Sequence, residues 1–405
     1  MSIYYIDEVM GRGKTTAMMN YINNDTSGDH YLFITPYLTE VSRIVNGCKE
    51  KGFMAPSEDS KKRIDIKYML KNKKNIVSTH ALFGMLDDED FSYIQDNGYV
   101  LIMDEVACVL DQFYATKSDI DIMRDQCVEI SDGGRITWTN DNYSGEFSGY
   151  RDKILSWPTY SYNDDNWIVL MPPTFFTSFK DVYIMTYMFE HQIQRCYFDL
   201  NDVSYTRKYV NGRDIDSYTI SDSFEKGKTT DYAGLIDILQ NDRMNEIGNG
   251  RTDLSKSWYV RNAYNGSMEI MKKNLFNFFH NYSKTPSNKN IWTVYCEEEN
   301  NKINWRSMLT GKGYAKGFLA CNARGTNDYR DRTAAAYIIN RFPNSAQKNF
   351  LNRAGISLDS DMFALSEMLQ WIWRSAIRDG SEIKVYIPSS RMRTLLENWI
   401  AQVSE

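Results

Sequence analysis

The first twenty-two residues constrain this chain more than any other stretch. Ile3-Tyr4-Tyr5-Ile6 is a short β-rich run, Gly11-Arg12-Gly13-Lys14-Thr15-Thr16 is a glycine loop, and Ala17-Met18-Met19-Asn20-Tyr21-Ile22 has a helical pattern. A strand that turns into a helix through Gly-x-Gly-Lys-Thr is the phosphate-cradling P-loop arrangement. Its glycines let backbone N–H groups close around anionic oxygens, and the helix N-terminus adds a partial positive charge. Lys14 can reach the β and γ phosphates, and the Thr15 hydroxyl can ligate Mg²⁺. Gly11, Arg12, Gly13 and Thr16 complete the cradle. P-loops usually open with a small residue where this chain has Glu8, an acid that weakens nucleotide binding unless it points away.

A second acid-bearing strand supports an ATP- and Mg²⁺-dependent hydrolase. Tyr99-Val100-Leu101-Ile102-Met103 is a continuous apolar run that ends in Asp104-Glu105. A buried strand of this kind delivers an acid pair to the sheet edge beside the P-loop. Asp104 would hold Mg²⁺, and Glu105 would polarise the attacking water. A later strand, 182–189, carries Thr186 near its end, either as a γ-phosphate sensor or as plain core.

At 405 residues the chain accommodates two domains of ordinary size, and 42% hydrophobic with 25% charged residues is a globular composition. No apolar run is long enough to span a bilayer, so no membrane partner is expected. The six cysteines have no paired spacing, which points to a reducing cytoplasm and away from a zinc site. A net charge of −6 gives no global basic signature, so any nucleic acid must bind in a local groove. Aromatic content of 14% fits either base-stacking surfaces or a compositional bias.

Strands alternating with helices predict an α/β fold with parallel sheets. Residues 31–34, 75–78 and 99–103 read as strands of a first domain, 1–200. A poorly readable insertion follows at about 111–165, with a hairpin near Gly133-Gly134. Polar, Gly- and Asp-rich sequence places the boundary near Asn201. The second domain, 201–405, has predicted strands at 291–295, 317–321 and 382–387. Helices are predicted at 263–282, 361–378 and 391–403. On a helix, Gln370, Arg374 and Arg378 recur at i, i+4 and i+8 and share one face.

In order, these segments resemble the motifs of superfamily 2 helicases, the DEAD/DEAH-like motors, and more narrowly those of small bacteriophage members. The first is the P-loop. Thr35-Pro36-Tyr37 and Ser78-Thr79-His80 resemble the strand-contact motifs, and Asp104-Glu105-Val106-Ala107 a DExx box. Ala323-Arg324-Gly325-Thr326-Asn327 resembles motif V, and Gln370-Trp-Ile-Trp-Arg374-Ser-Ala-Ile-Arg378 motif VI. Motif VI departs from the family in that Trp373 replaces a glycine and the second arginine comes one residue late.

The resemblance implies two tandem RecA-like domains with an ATP cleft between them, and Gln370, Arg374 and Arg378 facing Lys14 and Glu105 across it. Either arginine could act as the finger. It also implies nucleic-acid contacts from Thr35, Pro36, Thr79, His80, Arg324 and Thr326, mostly to phosphates. The implied activity is a helicase or translocase on single-stranded or forked DNA in phage replication or recombination, in the host cytoplasm alongside replication or recombination proteins. Two rivals remain. A terminase-like packaging ATPase needs a carboxylate-rich nuclease domain, for which the second half shows no acid triad at strand ends. A nucleotide-dependent switch or loader would bind a protein partner without unwinding anything.

Overall fold

The computed structural model describes the chain except residues 37, 58–60, 164–165, 226–229, 297–302, 324–327 and 404–405. In chain order the first strands are β1 (Ser2–Asp7), β2 (His30–Thr35), β3 (Ile76–Thr79) and β4 (Tyr99–Asp104). The next five are β5 (Leu110–Gln112), β6 (Val128–Ile130), β7 (Arg135–Trp138), β8 (Thr159–Asn163) and β9 (Asn166–Leu170). Then come β10 (Asp181–Thr186), β11 (Thr206–Asn211) and β12 (Thr219–Ser221). The last four are β13 (Ile236–Ile238), β14 (Asn290–Thr293), β15 (Ala334–Tyr337) and β16 (Ile383–Tyr386).

They form three sheets. The largest runs β12-β11-β1-β10-β4-β2-β3 and is parallel except where β12 turns back on β11. A four-stranded parallel sheet, β13-β16-β15-β14, organises the second domain. The central strands of both read as unbroken apolar runs because helices cover both faces. Leu101, Ile102 and Met103 of β4 and all four residues of β15 are fully buried.

The predicted insertion is a folded unit of its own. An antiparallel sheet, β5-β9-β8-β7-β6, spans Leu110 to Leu170. It encloses a separate core around Trp138, Trp167 and Phe113. Its period-2, half-polar strands carry a weaker signal than the buried parallel ones, so the sequence left it almost unread.

Three expectations change. The first sheet runs past the predicted boundary near Asn201, because β11 pairs in parallel with β1 and β12 pairs with β11. β12 is the sheet's edge strand and β11 beside it is only partly buried, so both are polar in sequence. Residues 317–321 form no strand; Phe318 makes only a single bridge to Trp292. The helix predicted at 361–378 stops early. The helices include α1 (Lys14–Asn24) and α2 (Leu38–Gly47) in the first domain, and α3 (Ser360–Ile372) and α4 (Ser390–Val403) in the second. Beyond α3, Trp373 packs into the core at 2% exposure, Ser375 is extended, and Ala376–Asp379 is a short 3₁₀ turn. Arg374 and Arg378 therefore sit on a turn, not on one helical face with Gln370.

No helix among the described residues is long and apolar enough to cross a membrane.

A candidate phosphate-binding cleft between two domains

The P-loop leaves β1 and enters α1 directly. Gly13 caps α1 at φ 79°, without a side-chain cap and without an acid in the first turn. The first backbone N–H groups therefore face outward, as an anion requires. Gly11 also has positive φ, and a Cβ there would lie 3.1 Å from the Arg378 carbonyl oxygen. The second domain's arginine turn thus rests directly on the P-loop.

Lys14 is buried, and its ammonium donates to the carbonyls of Glu8 and Val9, the latter at 3.5 Å. Burial lowers its pKa, opposed by Glu105 and Asp104. Glu8 does not line the cleft. Burial raises its carboxyl pKa, opposed by Lys14, Arg207 and Arg12, and its N–H donates to the Thr186 carbonyl at 3.2 Å. The acid in place of a small residue is accommodated to one side of the phosphate path.

Asp104 and Glu105 emerge from β4, and β10, bearing Thr186, lies between β4 and β1. Burial and the neighbouring Glu105 push the Asp104 carboxyl up to about 7. Asp104 and Glu105, with the Thr15 hydroxyl in the same cleft, are a donor set that fits a hard divalent cation such as Mg²⁺. Such an ion supplies charge neutralisation to phosphoryl oxygens. Glu105 adopts φ 76°, where non-glycine residues are strained. Its N–H donates to the Met185 carbonyl at 2.9 Å, and its Oε2 accepts from the Thr186 hydroxyl at 3.2 Å. Thr186 is fully buried, yet it orients an acid in the site.

The cleft has a volume of about 510 Å³, within the range of small-ligand sites. Gly11, Gly13, Lys14, Thr15, Thr16, Asp104 and Glu105 line it from the first domain, and Arg374 and Arg378 from the second. Burial lowers the Arg378 pKa, helped by Arg374 and Arg330. Its guanidinium makes no hydrogen bond or ion pair to a described residue. Arg12 and Gln370 do not line the cleft, and the Gln370 Nε2 is buried without a described partner.

Among the side chains that sequence reasoning missed here are Glu40, Arg43, Ile215, Tyr218, Arg330 and Asp379. Arg43 pairs with Glu40 at 3.0 Å, and Arg330 forms a two-point ion pair with Asp379. Tyr218 follows a strand that pairs with β1, which the local sequence does not show. Arg330 follows the motif-V-like stretch closely, inside a run of alternating charges.

The residues expected to touch nucleic acid are dispersed. Thr35 is fully buried at the end of β2, its hydroxyl without a described partner, and is in register with Thr79 on β3. Pro36 lines the phosphate cleft. His80 Nε2 lies 3.1 Å from the Asp104 carbonyl. Arg324 and Thr326 lie outside the described residues. A larger cavity of about 880 Å³ opens past Ala107, between the two domains and the insertion. Thr252, Ser255, Lys256 and Ser257 line one side of it, and Arg341 and Gln112 are also on its wall.

The chain folds as two parallel-sheet RecA-like domains that share a P-loop cleft. Two solved structures have this fold: apo XPD (TM-score 0.51, 10% identity, covering 98% of this chain and 95% of that one) and S. tokodaii Xpd4 (TM-score 0.51, 12% identity, 98% and 94%). Residues 230–400 match the YonV C-terminal Rossmann-like domain. Over 411 residues the chain is 37% identical to the SPbeta prophage-derived protein YonV of Bacillus subtilis (strain 168), covering 98% of each. The chain belongs to the YonV family.

Proposed function

We propose that this protein is an ATP-dependent nucleic-acid helicase or translocase that acts on DNA, in phage replication or recombination. One observation carries the reading: a single cleft gathers a P-loop, an acid pair and arginines, with two of the arginines contributed by the turn after α3 in the other domain. ATP bound there with Mg²⁺ would have Lys14 at its β and γ phosphates and Thr15 and Asp104 at the metal. Glu105 would take the proton from the attacking water, and an arginine would neutralise the transferring phosphoryl group. Hydrolysis frees the γ-phosphate and its departure removes the charge that both domains grip, so the cleft opens, and the alternation moves the domains along a strand.

The 880 Å³ cavity between the domains and the insertion supports a strand path next to the cleft. Its hydroxyls and Lys256 suit sequence-independent phosphate contacts. Thr35, Thr79, His80, Arg324 and Thr326 remain proposed contacts by resemblance, and Pro36 is equally placed to touch nucleotide.

The test is the steady-state ATPase rate without nucleic acid, then with single-stranded DNA, duplex DNA and single-stranded RNA at fixed salt. Strong stimulation by single-stranded or forked DNA is expected. A rate indifferent to every polymer would overturn the motor and favour a switch that binds a protein partner. A smaller effect is expected from Thr186→Val, which removes the hydroxyl that orients Glu105. Its turnover should fall about tenfold, the usual worth of a hydrogen bond to a charged group, with ATP affinity unchanged by equilibrium titration.

A further inference from the structure

We propose that the tip of the β11–β12 hairpin is the nucleobase subsite of the cleft, with Tyr218 and Ile215 holding the base of a nucleoside triphosphate. The inference rests on the nucleotide-binding reading of the P-loop cleft and adds the part of the ligand that the phosphate machinery does not touch.

The hairpin is fixed to the P-loop from two sides. Its first strand runs parallel to β1, with Tyr4 opposite Thr206 and Ile6 opposite Lys208. On α1, the Asn20 side-chain amide donates to the carbonyls of Ile215 and Tyr218, both at 3.0 Å. The tip is ordered internally as well, because the Ser217 hydroxyl accepts from the backbone N–H groups of Arg213 and Asp214 at 3.0 and 3.1 Å. A loop anchored this way is preorganised and loses little entropy when a ligand binds.

Its chemistry differs from the rest of the cleft. Lysine, threonines, acids and arginines suit a triphosphate and a metal, but the hairpin tip adds Tyr218 and Ile215 to the lining. The Tyr218 ring packs on the P-loop so closely that a Cβ on Gly13 would lie 2.5 Å from it. Ile215 is 70% exposed and still lines the cleft. An exposed isoleucine beside a partly exposed tyrosine, in a cleft lined mainly by polar and charged side chains, has no role toward phosphate. A nucleotide carries one flat apolar group, its base, and aromatic and apolar side chains hold bases by their faces.

The test compares two probes on the full chain by calorimetric titration with Mg²⁺: ATP and inorganic tripolyphosphate. Wild type should bind ATP more tightly. Tyr218→Ala should weaken ATP about tenfold, a modest stacking contribution, and leave tripolyphosphate unchanged, while Tyr218→Phe should retain ATP binding. Ile215→Ser changes an exposed side chain that does not threaten the fold, and should shift the same ratio in the same direction. An unchanged ratio in both Tyr218→Ala and Ile215→Ser overturns the subsite. An equal loss of both probes in Tyr218→Ala also overturns it, since Tyr218 would then only shape the loop through Gly13. Equal wild-type affinity for the two probes removes the base subsite and leaves the P-loop reading standing. Failure to bind either probe removes both.

Discussion

Arg378→Ala is expected to lower ATP turnover about 10³-fold or more while ATP affinity changes little, the signature of an arginine that acts on the transition state. Among the three arginines that the second domain brings to the cleft, Arg378 is the uncommitted one. Arg330 is held by Asp379. Arg374 is deeply buried, at 6% exposure. Arg378 makes no hydrogen bond or ion pair to a described residue, and burial with two neighbouring guanidiniums disfavours its charge. A buried cation in that position gains most when an anion arrives. The Gly11 backbone against the Arg378 carbonyl fixes the turn on the P-loop. Arg374→Ala, measured side by side, should cost only about tenfold, as a positioning change around a neighbouring finger. If Arg374→Ala is the more damaging of the two, the assignment reverses. If neither slows hydrolysis, the cleft does not do its chemistry across the domain interface.

Glu105→Gln should abolish most turnover, about 10²- to 10⁴-fold, with ATP binding retained, because the substitution keeps shape and removes basicity. The side chain lines the cleft that holds Lys14 and Asp104. The chain holds it there at positive φ, a strained backbone that surrounding contacts must over-determine. Those contacts are the Met185 carbonyl and the Thr186 hydroxyl. Single-turnover hydrolysis alongside nucleotide titration checks this. Wild-type turnover in the variant would remove Glu105 from the reaction, whereas loss of binding would assign it to the metal.

The legible parts of the sequence were those whose chemistry dictates local residue types. Gly11, Gly13, Lys14 and Thr15 stand out because a phosphate cradle needs backbone freedom, one cation and one hydroxyl within a few residues. Asp104 and Glu105 stand out because acids at the end of a buried strand are costly without a purpose. The arginine turn was legible in composition but not in shape. Its i, i+4, i+8 spacing suggested a helix, and the buried Trp371 and Trp373, together with the extended Ser375, end the helix first. Tyr218 and Ile215 were not legible at all, because their position depends on β11 pairing with β1, a contact about 200 residues apart in the chain. The same holds for the insertion, whose short strands are defined by their partners and not by periodicity.

The hydrogen bond between Glu105 and Thr186 joins residues 81 apart in sequence, and the antiparallel sheet of β5 to β9 lies in the chain between them. That sheet is thus a closed loop of protein, clasped at its neck where β4 and β10 pair and where these two side chains meet. A displacement of that sheet would therefore act on its neck from both sides, at the Glu105 and Thr186 side chains.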